Sequence, residues 1–95
     1  MSLRVEWDPG KAESNEAKHG VSFSEAATVL ADPLSITLPD PDHSRDEERL
    51  LLLGRSSGGR YLIVSLTERH DAIRIISARP MTSRERRTYE QATGA

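Results

Sequence analysis

Ninety-five residues with 36% apolar side chains and four aromatics make one domain, near the lower end of sizes that fold on a single core, and that core must come mostly from Leu, Ile, Val and Ala. The absence of cysteine excludes disulfides and thiolate metal sites, and no stretch resembles a signal core or a membrane span, so a cytoplasmic protein is expected. The net charge of −2 hides a division: residues 1–48 hold four basic and eleven acidic side chains, residues 49–95 nine and four, and eleven of the thirteen bases are arginine, so the C-terminal half suits a polyanion.

Residues 3–7 alternate Leu3, Val5 and Trp7 with Arg4 and Glu6, the period of a half-buried strand. Asp8-Pro9 supplies an N-cap and a proline at the first helical position, and Gly20 a left-handed stop, which bounds a short exposed helix over 9–19. Ser22-Phe23-Ser24-Glu25 reads as a capping box that opens a helix with an apolar stripe of Phe23, Ala26, Ala27, Leu30 and Ala31, ended by Asp32-Pro33. A strand over 34–38 and a polar, acidic loop over 39–48 follow. Apolar runs at 50–53, 61–67 and 72–79, separated by turn chemistry at 56–59 and 68–71, form an antiparallel meander. The order β-α-α-β-β-β-β-α predicts a single α+β domain, an antiparallel sheet with two N-terminal helices on one face and a C-terminal helix.

That last helix starts against an electrostatic rule. Thr82 and Glu85 complete a capping box, yet Arg84, Arg86 and Arg87 crowd the positive end of the helix dipole, where each cation costs roughly 0.3–1 kcal/mol. A phosphate or carboxylate partner would relieve the conflict. Upstream, strict alternation places Ser77 and Arg79 on one face of the last strand with Ile73 and Ile75, and Arg74 on the other with Ile76. An arginine among isoleucines needs either an internal ion pair, with Glu25 or Glu85, or an open face. Arg79, Arg84 and Arg87, with Glu85 and Tyr89, would then gather where strand meets helix, able to clamp a phosphate, stabilise developing charge and offer Tyr or Glu for proton transfer.

Other candidates are weighed beside this cluster. Lys18-His19 in the last turn of the first helix could bind phosphate and carry a proton, or simply complement the dipole. Asp40, Asp42, Ser44 and Asp46, with His43 among them, alternate like a calcium loop but lack the glycine at position six and the glutamate at position twelve. His70 falls in a turn and reads as solvated. No Gly-rich phosphate loop, zinc pattern or nucleophilic triad is present, so neither metal nor cofactor is expected.

Trp7-Asp8-Pro9, Lys11, Asn15, Lys18-His19-Gly20-Val21-Ser22-Phe23, Glu25-Ala26 and Asp32-Pro33, then Arg74-Ile75-Ile76-Ser77-Ala78-Arg79 with Thr82, Glu85-Arg86 and Tyr89-Glu90, together resemble the BrnT toxin family over residues 7–90. The resemblance implies a toxin of a type II toxin-antitoxin pair with a RelE-like fold, a metal-independent endoribonuclease that cleaves RNA by 2′-OH attack and halts translation. It implies a BrnA-like antitoxin of ribbon-helix-helix type that neutralises the toxin in a hetero-oligomer, with DNA bound only through that partner and no membrane involved. It assigns Lys18 or His19 to proton transfer or phosphate binding and Arg74, Arg79 and Arg84 to phosphate and transition-state charge, with Glu85 beside them. Ser77, Arg86, Arg87 and Tyr89 are expected to complete the RNA contact. The alternative is a non-catalytic module whose arginines dock an acidic antitoxin segment.

Overall fold

The computed structural model describes residues 4–40 and 48–94. Its elements follow the expected order: β1 (Arg4–Trp7), α1 (Pro9–His19), α2 (Phe23–Thr28), β2 (Ile36–Pro39), β3 (Arg49–Arg55), β4 (Tyr61–Arg69), β5 (Ala72–Pro80) and α3 (Ser83–Thr93). The helix ends are set locally. Asp8 accepts from the Lys11 N–H at 2.9 Å, and Gly20 closes α1 at φ 69°, a conformation that a residue without a Cβ adopts freely.

Five strands form one sheet in the order β1-β5-β4-β3-β2. β2 to β5 are antiparallel as expected, but β1 lies parallel to β5, so the sheet is mixed rather than antiparallel throughout. The chain order explains this. β1 sits at one edge and β2 at the other, and α1 and α2 carry the chain between them across one face, so β1 meets β5 without a hairpin.

On that face Val21, Phe23, Ala26 and Val29 pack on Leu62, Val64 and Ile75, and Trp7 meets Phe23 edge-on at 6.1 Å. Two local expectations shift here. The second helix tightens into a 3-10 turn at Val29–Ala31, which turns Val29 to the core and leaves Ala31 exposed. Ser22 caps the Glu25 N–H at 3.0 Å, but Glu25 does not reciprocate: its carboxylate takes hydrogen bonds from Arg60 Nε at 2.9 Å and Ser56 Oγ at 2.8 Å, tying α2 to the β3–β4 turn. The expected strand at 34–38 begins two residues later, because Asp32 accepts from the Leu34 N–H and folds 32–35 into a turn.

α3 covers part of the opposite face, where Tyr89 packs with Leu53 and Ile63 and meets Tyr61 edge-on at 5.8 Å. β4 and β5 are joined through His70 and Asp71 alone, and His70 takes the left-handed conformation at φ 53°. Asp40 is buried and its N–H donates to the Arg49 carbonyl; the remainder of the calcium-like segment, 41–47, lies outside the described residues.

Candidate nucleic-acid interface

The site begins with a bulge. Ser65 pairs with Ser77 and Leu66 with Ile75, so Ile76 is an extra residue in β5. Strict alternation fails at that point, and the expected grouping of Ser77 and Arg79 with Ile73 and Ile75 is corrected. Ile73, Ile75 and Ala78 face α1 and α2. Arg74, Ser77 and Arg79 stand opposite Thr67, Ser65 and Ile63, which alternate on the other face of β4. A bulge re-aims side chains, and here it brings three candidate residues onto one face. Arg74 is half-buried beside Glu6 in register, and no ion pair joins it to a described residue.

Arg79 does have a partner. Its two terminal nitrogens donate to the two Glu85 oxygens at 2.8 Å each, a bidentate ion pair of the kind that fixes a guanidinium in place. The same glutamate accepts from the Thr82 N–H at 2.9 Å, while Thr82 Oγ1 accepts from the Glu85 N–H, so the predicted capping box is formed. The hydrogen bonds from Arg79 hold the Glu85 carboxyl below its ordinary range despite partial burial, and the Arg79 guanidinium is raised in turn. Glu85 thus meets Arg79 and the cap of α3 with the same carboxylate.

The remaining arginines divide. Arg86 lies 4.0 Å above the Tyr61 ring and 3.4 Å from Glu90, so its charge is engaged within the fold. Arg84 and Arg87 are exposed at the start of α3 with no ion pair to a described residue. Tyr89 does not join them. It is 2% exposed, and its hydroxyl donates to Asp32 Oδ2 at 3.0 Å; burial and that carboxylate raise its pKa. Its position is that of a core residue facing β3, and it falls outside the RNA-facing surface expected for it.

Lys18 and His19 come from the opposite side of the sheet. They line an open cleft of about 560 Å³ with Asp8, Lys11, Ser14 and Asn15 of the α1 region, and β5 closes it with Ile76 and Ser77. Ser77 therefore belongs to both places. It shares the strand face with Arg74 and Arg79, and it borders the cleft that holds Lys18 and His19.

Residue-by-residue reading missed three contributors. Asn15 is 7% exposed and bonds to both backbone groups of Ala78; a polar, poorly helix-forming residue in the middle of α1 is the signal that could have revealed it. Asp32 accepts from Leu34, Arg55 and Tyr89, joining the end of the helical segment to β3 and α3, whereas in sequence it reads only as a helix stop. Arg60 answers Glu25 from a turn thirty-five residues away, a pairing with no local signature. Among the described residues no group of three or more His, Asp or Glu is placed to hold a metal ion.

These features define a small α+β domain that presents an arginine-bearing sheet face beside a cationic helix start. A family model described as "Ribonuclease toxin, BrnT, of type II toxin-antitoxin system" matches residues 7–85, and the chain belongs to that family. Such a system includes an antitoxin partner. The fold is similar to the crystal structure of the Brucella abortus ribonuclease toxin BrnT, with 24% identity, a TM-score of 0.64, and coverage of 86% of this chain and 100% of that one. Among curated proteins no sequence matches.

Proposed function

We propose that this chain is a metal-independent endoribonuclease that cleaves RNA, and so inhibits translation in the cytoplasm, from the β5 face and the cleft that meets it at Ser77. The observation that carries the reading is the bulge at Ile76, which sets Arg74, Ser77 and Arg79 on one face, with Arg79 tied through Glu85 to the helix start that carries Arg84 and Arg87. In the reaction the ribose 2′-oxygen attacks the adjacent phosphorus and the bond from phosphorus to the 5′-oxygen breaks. A base takes the 2′-OH proton, an acid protonates the departing 5′-oxygen, and the products are a 2′,3′-cyclic phosphate and a 5′-hydroxyl. Lys18 and His19 supply the proton-transfer groups, Arg74 and Arg79 stabilise charge on the phosphate, Glu85 holds Arg79, and Arg84 and Arg87 bind the flanking backbone. Arg86 contributes through its packing on Tyr61.

The antitoxin in this reading is BrnA-like, of ribbon-helix-helix type. It covers the same arginines in a hetero-oligomer, and DNA is bound only through it. A non-catalytic reading, in which the arginines dock an acidic antitoxin segment, draws on one observation: Arg79 is already occupied by Glu85. One experiment separates the two. Purified protein is incubated with naked RNA and with translating ribosomes, with and without EDTA, and the new ends are identified. Cyclic or 3′-phosphate ends formed equally in EDTA, and lost in Arg74→Ala, support the enzyme. Antitoxin affinity that falls in Arg74→Ala and Arg84→Ala, with no cleavage by wild type in either setting, selects the binding module.

A further inference from the structure

We propose that Asn15 is a positioning residue for the cleavage site: its amide replaces the strand that β5 lacks beyond Ile75 and so fixes where Ser77 and Arg79 point. The inference rests on the ribonuclease reading and adds a residue to it. β1 pairs with β5 only from Ala72 to Ile75, which leaves the outer edge of β5 open just where the bulge and the site residues lie. Asn15 fills that gap as a peptide group would. Its Nδ2 donates to the Ala78 carbonyl at 2.8 Å and its Oδ1 accepts from the Ala78 N–H at 3.1 Å. Nδ2 also donates to the Val21 carbonyl at 3.1 Å, so one amide joins β5 to the chain just past Lys18 and His19.

The chemistry of the position argues for more than packing. Asn15 is the one buried residue of α1, where an apolar side chain would bury the same surface without an amide to satisfy. What only an amide provides is two-way recognition of a single residue, and that residue lies between Ser77 and Arg79. A bulge on an open edge is free to migrate, and each step turns a side chain to the other face. With Ala78 clamped, the bulge is confined to its upstream side and Ser77 stays where β5 meets the cleft.

The test uses Asn15→Asp and Asn15→Leu in the full chain. Asp keeps the acceptor for the Ala78 N–H, but as a carboxylate it sets oxygen against the Ala78 and Val21 carbonyls; protonated, it regains a donor. At neutral pH the cleavage kcat of folded Asn15→Asp is expected to fall about a hundredfold, with KM for RNA within about threefold of wild type. Toward about pH 5 the ratio of wild type to Asn15→Asp should shrink, while the ratio to Asn15→Leu stays constant. Asp8, Lys11, Lys18 and His19 line the same cleft and are common to all three proteins, so the ratios isolate position 15. A folded Asn15→Asp with wild-type kcat, or losses in both variants that merely track the folded fraction, overturns the positioning role. Should neither variant fold, amide exchange in the wild type decides: an Ala78 N–H that exchanges faster than those of the β3–β4 ladder overturns the clamp. A wild type that cleaves no RNA overturns the ribonuclease reading instead, and Ala78 exchange still reports the clamp.

Discussion

Replacing Tyr89 by Phe separates packing from chemistry at a residue whose sequence position suggests RNA contact. The ring, and with it the edge-on contact to Tyr61, is retained; only the hydroxyl's bond to Asp32 is lost. Burial pushes the Asp32 carboxyl upward, but N–H donors from Arg55 and Leu34 and the Tyr89 hydroxyl more than offset it, and its pKa ends below the ordinary 3.8. A hydrogen bond to a charged group of this kind contributes roughly 1.5–2 kcal/mol. For a domain of this size the loss corresponds to a fall in Tm of about 6–16 °C. Because the folded-state pKa is lowered, the carboxylate contributes stability that is complete above its unfolded value and is lost as pH falls through the folded one. The difference in Tm between wild type and Tyr89→Phe should therefore be full at neutral pH and shrink in strong acid. Calorimetry at the two pH values, with RNA cleavage measured per folded molecule, checks it. A variant with wild-type Tm that no longer cleaves RNA would refute the reasoning and return Tyr89 to the active site.

Three other outcomes are expected. A Cβ at Gly54 would stand 2.7 Å from Val29 Cγ1 and 2.9 Å from Asp32 Oδ2, so Gly54→Ala should destabilise by about 3 kcal/mol, seen as a denaturation midpoint shifted to lower urea without a change in slope. Glu85→Gln should cost about 1 kcal/mol at neutral pH, since the Arg79 pair is partly exposed; with the Glu85 pKa lowered, the deficit vanishes as pH falls below that value, which thermal melts across acid pH will follow. Arg84→Ala and Arg87→Ala should each lower RNA affinity and reduce the slope of log K against log salt by about 0.7, with Tm unchanged or slightly raised. Filter binding at several salt concentrations measures this, and unchanged affinity in both would remove these arginines from the interface.

Helix and strand positions were legible because their signals are local: Asp8, Thr82 and Gly20 act on backbone groups within four residues of themselves. The bulge at Ile76 was not legible, since an extra residue in β5 has meaning only against Ser65 and Leu66 of β4. That one residue decided which face Ser77 and Arg79 share, and so the whole layout of the site. The parallel entry of β1 was hidden for the same reason, as Leu3 to Trp7 alternate alike in either direction. An ion pair to Glu25 or Glu85 is what the sequence suggests for an arginine inside the strand among isoleucines; the structure gives Glu85 to Arg79 instead, six residues away across a strand-to-helix corner. Tyr89 misled because helix periodicity places it beside Glu85 but does not reveal that the same face meets Leu53 and Ile63.

The cations crowded at the start of α3 can now be sorted by what each one has. Glu85 answers part of the conflict, since it caps the helix and holds Arg79 with one carboxylate. Arg86 is drawn onto Tyr61 and toward Glu90, and so serves the seam between α3 and the sheet. What remains is Arg84 and Arg87, whose charges meet no ion-pair partner among the described residues, beside an Arg79 whose geometry is fixed from α3 and whose strand is fixed from α1 by Asn15. β5 is thus restrained along its outer edge by Asn15 and through Arg79 by α3, in the segment where no described strand pairs with that edge. A surface meant only for stability would have closed that edge with a longer β1; keeping it open and clamping it with side chains leaves Ser77 accessible from the cleft and from the arginine face together.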